Sequence, residues 1–108
     1  MGKRQSRKAL VLFKGVLAGQ LEETDTGYVF CYDAAFIAGN IPLSVSLPLR
    51  DKAYESPELF SFFTGLLPEG WYLDIVSSTQ KIDKNDQFAI LLATCQDTAG
   101  AVSVQKIP

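Results

Sequence analysis

The chain contains no histidine among its 108 residues. That absence removes the commonest general base, the usual zinc-binding side chain and every Ser-His-Asp or Cys-His arrangement, so most enzyme classes are disfavoured at once. Cysteine is scarce too: Cys31 and Cys95 are too few for a disulfide framework and are not spaced as a metal pair. Each sits inside an apolar pattern, which predicts two reduced, buried thiols in a cytoplasmic protein. No apolar run approaches the roughly 20 residues of a membrane helix. The first eight residues, MGKRQSRK, lead only into the short run Ala9 to Phe13, so the chain reads as neither membrane-spanning nor secreted. Glycine-rich phosphate loops of the G-x-x-x-x-G-K-[ST] or G-x-G-x-x-G type are missing, as are acidic loops with enough oxygen ligands for a metal, so no cofactor and no metal are expected.

Positive charge is thin outside the N-terminus. Lys3, Arg4, Arg7 and Lys8 hold four of the ten basic residues, and from residue 9 onward six bases face twelve acids, a net of −6. An acidic body is repelled by phosphate backbones, which argues against autonomous nucleic-acid binding despite the basic segment. Residues 1–8 are read as a basic flexible tail and residues 9–108 as a single domain. The acidic pairs Glu22-Glu23 and Asp83/Asp86 are expected in polar connections, simply solvated.

What the chain does have is core material: 47% apolar residues, including 12 aromatics, with 20% charged. Ala9 to Phe13, a Lys14-Gly15 turn and Val16 to Leu21 predict a hairpin, and Tyr28 to Tyr32 a third strand. Asp33 is placed to cap a short helix over Ala34 to Ala38, closed by Gly39-Asn40. From Pro42 to Leu49 the apolar residues Leu43, Val45, Leu47 and Leu49 recur at period two, and the prolines point to an edge strand. Ser56-Pro57-Glu58 reads as a helix start, followed by Leu59, Phe62, Phe63 and Leu66 on one face. Gly65 and Pro68 close that helix. A second helix carries Tyr72, Ile75 and Val76, and a third, capped by Asn85 or Asp86, carries Phe88, Leu91, Leu92 and Cys95. Ala101 to Ile107 returns as a last strand. This order gives an α+β class: a mainly antiparallel sheet with about three helices packed on one side.

The Pro68-Glu69-Gly70-Trp71 corner is the one local feature of unusual chemical character. Trp71, the only tryptophan, has two readings: an anchor of the core, or an exposed aromatic that fills a partner's pocket.

The second half of the chain carries a resemblance. Pro42-Leu43-Ser44-Val45-Ser46-Leu47-Pro48, Phe62-Phe63-x-x-Leu66-Leu67-Pro68-Glu69-Gly70, Asp86-x-Phe88-x-x-Leu91-Leu92 and Asp97-x-Ala99-Gly100-Ala101-Val102 occur in that order. Together they resemble the N-terminal subdomain of HipA-like serine/threonine kinases, an α+β cap on the kinase N-lobe. The ATP-binding core that follows in such kinases is absent before Pro108. As a free-standing chain it looks like the HipS antitoxins of three-component HipBST toxin–antitoxin operons. The resemblance implies a non-enzymatic antitoxin that binds a HipT-like kinase toxin and suppresses it, with a HipB-like DNA-binding protein completing a ternary complex. The expected kinase-interaction residues are Glu69, Gly70, Trp71 and Tyr72, with Trp71 reaching toward the kinase active site; no catalytic residues are expected. The alternative is a non-catalytic structural subdomain of a longer HipA-like kinase.

Overall fold

Alternation of inward and outward residues builds the sheet. The computed structural model describes residues 7–68, 70–83, 85–94 and 102–107, with residues 71 and 72 described by backbone alone. Strand β1 (Arg7–Phe13) buries Ala9 and Val11, β2 (Val16–Thr24) buries Ala18, Leu21 and Glu23, and β3 (Gly27–Tyr32) buries Phe30 and Tyr32. Lys14 and Gly15, both at positive φ, make the two-residue turn that joins β1 to β2. The first strand opens at Arg7, so Arg7 and Lys8 stand in the sheet rather than ahead of it.

Two short strands complete the edges. Strand β4 (Tyr54–Ser56) pairs with β3, and β5 (Val102–Lys106) pairs with β1, giving the order β4-β3-β2-β1-β5 with every pair antiparallel. The edge beside β3 is therefore not the Pro42–Leu49 segment, which the period-two pattern assigns to a strand. That segment forms a loop with a single bridge between Ser44 and Leu47. Its prolines withhold ladder donors, and the Ser44 hydroxyl accepts from the Ser46 amide at 3.2 Å, which folds the middle of the run into a turn. Leu43, Leu47 and Leu49 still pack on the core, whereas Val45 is 96% exposed at the turn.

Four helices are present among the described residues: α1 (Ala34–Ala38), α2 (Ser61–Thr64), α3 (Gly70–Gln80) and α4 (Gln87–Thr94). Asp33 caps α1 as its sequence position suggests, accepting from the Ala35 amide at 3.1 Å. At Ser56 the cap contact also forms, to the Glu58 amide, yet no helix starts there. Ser56 is held in β4 opposite Tyr28, so helical geometry is deferred to Ser61. Helices α2 and α4 lay Phe63, Phe88 and Leu91 into one cluster with Val11, Leu21, Phe30 and Val104 from the sheet. On the opposite face the outward residues Gln20 of β2 and Cys31 of β3 are exposed, as one face of an antiparallel sheet ordinarily meets water.

That outer face holds one departure from expectation. Cys31 is an exposed free thiol, not a buried one, because it lies between inward-facing Phe30 and Tyr32 on a strand of period two. Cys95 lies outside the described residues. Among the described residues no helix is long and apolar enough to cross a membrane.

Candidate functional site

The corner between α2 and α3 is built outward from the core. Phe63 is fully buried, with its ring 5.6 Å from that of Phe30 and 5.1 Å from that of Phe62. Past Phe63 the chain tightens: the Leu66 amide donates to the Phe63 carbonyl at 3.0 Å and the Leu67 amide to the Thr64 carbonyl at 3.2 Å. Leu66 and Leu67 rest against the core, which fixes where the corner leaves it. Helix α3 then begins at Gly70 with φ +57, a left-handed angle that favours glycine, and a Cβ there would meet nothing within 4 Å. The requirement for glycine at this point is conformational, not steric.

Helix α3 is shallowly seated. Leu73, Val76 and Ser77 are half-buried, Asp74 and the last three residues are exposed, and Ile75 is 48% exposed. Its far end is pinned by the Ser77 hydroxyl, which donates to the Ile82 carbonyl, and by the Ile82 amide, which donates to the Ser77 carbonyl at 2.9 Å. A groove of about 330 Å³ opens beside the corner, bounded by Thr64, Gly65, Leu67 and Pro68 on one side and by Leu73 and Ile90 on the other. Of the four residues expected to meet a kinase, Gly70 is placed at the first turn of α3 and Trp71 and Tyr72 follow it in the same helix. Glu69 and the side chains of Trp71 and Tyr72 lie outside the described residues, as does the choice between a core and an exposed Trp71.

A second constellation was not expected from the sequence. Arg7 forks between two carboxylates: its Nε and one terminal nitrogen donate to Glu23 at 2.7 and 2.9 Å, and its terminal nitrogens donate to Asp86 at 3.1 and 2.8 Å. Its guanidinium also lies 5.2 Å from the centre of the Phe88 ring. Hydrogen bonds to Glu23 and then to Asp86 hold the Arg7 pKa above its ordinary value. Asp86 in turn accepts from the Ala89 amide at 3.2 Å and so caps α4. Glu23 and Asp86 are thus joined to the fold, not solvated in connections, because Arg7 and Glu23 are register partners on the inward face. The available signal was periodicity: Arg7 continues the inward series of Ala9 and Val11, and Glu23 continues that of Leu21. Both carboxylates hold a structural cation. Among the described residues no group of three His, Cys, Asp or Glu side chains is placed to hold a metal ion.

Residues 9–105 match the family described as the HipA N-terminal domain. The chain belongs to that family. A solved structure described as the N-terminal domain of HipA toxin superposes with a TM-score of 0.75 at 30% identity, over 100% of this chain and 98% of that one. An uncharacterized protein of Haemophilus influenzae is 35% identical over 100 residues, covering 93% of this chain and 92% of its own length. The serine/threonine-protein kinase toxin HipA of Shewanella oneidensis is 31% identical over 90 residues, which are 82% of this chain but 21% of that kinase. The HipA N-terminal domain therefore occurs both as a small part of a kinase and as nearly the whole of a protein. It is a non-catalytic subdomain of HipA, and the HipA relatives are themselves named as toxins.

Proposed function

We propose that the chain is a HipS-like antitoxin that binds a HipT-like serine/threonine kinase in trans, where HipA carries the same domain in cis, and suppresses its activity. The observation that carries this reading is the double occurrence of the domain, as 92% of the Haemophilus protein and 21% of the Shewanella kinase. A piece that is covalent in one arrangement and separate in another makes kinase activity depend on whether the piece is bound. The body, with its net charge of −6, is unsuited to holding DNA alone, so a HipB-like protein supplies promoter contact in a cytoplasmic ternary complex. The single domain takes in Arg7 and Lys8 as the opening of β1, and Lys3 and Arg4 add positive charge ahead of it in the sequence.

Within this reading, Glu69, Gly70, Trp71 and Tyr72 are the inhibitory element. The corner is anchored through Phe63, Leu66 and Leu67, and α3 starts at a fixed left-handed angle. A rigid aromatic at that position suits insertion into a kinase cleft, since tryptophan contributes much contact area and freezes few rotors. Co-expression with a HipT-like kinase tests it: the wild-type chain restores growth, and Trp71→Ala melts like wild type, still co-purifies with the kinase and fails to restore growth. A folded Trp71→Ala that restores growth overturns the insertion, and an unfolded one returns Trp71 to the core.

A further inference from the structure

Between Asp33 and Arg50 the chain carries no charged residue for sixteen positions, its longest uncharged stretch. Connecting segments on a surface are ordinarily polar, and this one is held outside the sheet with apolar groups in water: Val45 at 96% and Ile41 at 62% exposure, with Pro42 and the α1 residues Ala34, Ala35 and Ala38 also exposed. Single exposed apolar residues are commonplace, but a continuous uncharged strip is not.

The strip is also fixed in shape. The buried Tyr32 hydroxyl donates to the Leu47 carbonyl and accepts from the Leu43 amide at 3.1 Å. The Tyr54 hydroxyl donates to the Pro48 carbonyl at 2.6 Å, and the Leu47 amide closes the turn on the Ser44 carbonyl at 3.0 Å. Tyr32 stacks on Phe36 of α1, ring centres 5.8 Å apart, so helix and loop are set against each other. Two tyrosines thus hold a loop whose outward tip is valine. Such an arrangement has its ordering cost met before any partner arrives, and burying it desolvates no charge.

We infer that the strip from Ala34 to Pro48, with Val45 and Ile41 as its anchors, is the surface that docks on the kinase body, separate from the corner that inhibits it. This rests on the kinase-binding reading above. In the Shewanella kinase the domain is 21% of a longer chain, so some face of it adjoins the rest. The uncharged strip is the described surface best suited to such a permanent contact, because the cores of interfaces are depleted of charge. The partner surface is accordingly an apolar, uncharged patch of a HipT-like kinase. Docking supplies affinity and the corner supplies inhibition.

The test is the affinity of a purified HipT-like kinase for the chain and for Val45→Asp, Ile41→Asp and, as a control on the exposed β5 position, Gln105→Asp. Because Val45 and Ile41 touch little of the fold, both variants melt with the wild type. Each is expected to bind about tenfold more weakly or worse, with Gln105→Asp unchanged. Wild-type affinity should change little between about 50 and 500 mM salt, since no charge pairs carry the contact. Wild-type affinity in Val45→Asp, or a steep loss with salt, overturns the docking surface and leaves the antitoxin reading standing. A wild-type chain that does not bind the kinase overturns both. Sedimentation of the chain alone should give a monomer; a dimer dissolved by Val45→Asp assigns the strip to a second copy and overturns the inference.

Discussion

Tyr32 shows how one side chain can set a loop. Its ring stands in the core while its hydroxyl ties Leu43 and Leu47, and Tyr32→Phe is expected to cost about 1 to 2 kcal/mol. Burial holds the phenol above its ordinary pKa, so the unfolded chain ionises first. The stability this group contributes is full below the unfolded value of about 10 and is lost as pH climbs through it toward the folded value. Urea midpoints at about pH 8 and pH 11 should therefore fall more steeply in the wild type than in Tyr32→Phe; equal falls would contradict the assignment. Arg7 is the second residue to test, because it joins β1, β2 and the cap of α4. Arg7→Ala should lower stability by about 2 kcal/mol, and Arg7→Lys should recover less than half of it, since an ammonium cannot fork between two carboxylates. A denaturant series in which lysine restores full stability would reduce Arg7 to a point charge. Cys31, exposed on the outer face, should react with a maleimide in the native protein, and peptide mapping that finds it protected would contradict its placement.

Elements differ in how far their residues announce them. The β1–β2 hairpin and helix α1 were legible because each is decided locally, by Lys14-Gly15 at left-handed angles and by the Asp33 cap. Strand β4 was not legible: three residues carry no periodicity, and Tyr54–Ser56 is strand because β3 offers it a partner. Pro42–Leu49 is the reverse case, since period two is genuine for Leu43 and Leu47 but a serine turn puts Val45 outward. Glycines separate geometry from space at the same scale. At Gly19 a Cβ would sit 2.4 Å from the Cys31 carbonyl oxygen and 2.9 Å from the Phe30 ring, so Gly19→Ala must shift the β2–β3 pairing, at about 2 to 3 kcal/mol. Gly70→Ala meets open space and pays only for its angle, about 1 kcal/mol or roughly 5 °C in Tm. Chemical denaturation of both variants checks the ranking, and a Gly70→Ala as costly as Gly19→Ala would contradict the open space around Gly70.

At the scale of the molecule, the α+β class and the antiparallel sheet follow from element order, and the family from four motif blocks distributed along residues 42–102. The candidate site was legible only as a corner. Leu66 continues the apolar series of Leu59, Phe62 and Phe63, but the seating of Leu67 and the left-handed angle at Gly70 are set by packing, and Arg7 meets Asp86 across 79 positions of chain. A chain lacking a phosphate loop and any histidine should give a flat titration with Mg-ATP, and saturable binding at micromolar nucleotide would contradict the non-enzymatic reading. Phosphate transfer from ATP by a purified HipT-like kinase, measured as the chain is titrated in, tests suppression in trans directly. Activity is predicted to fall with added chain and to be abolished near equimolar ratio, while Trp71→Ala binds and leaves activity intact; a kinase that binds the wild-type chain and remains fully active would contradict the account.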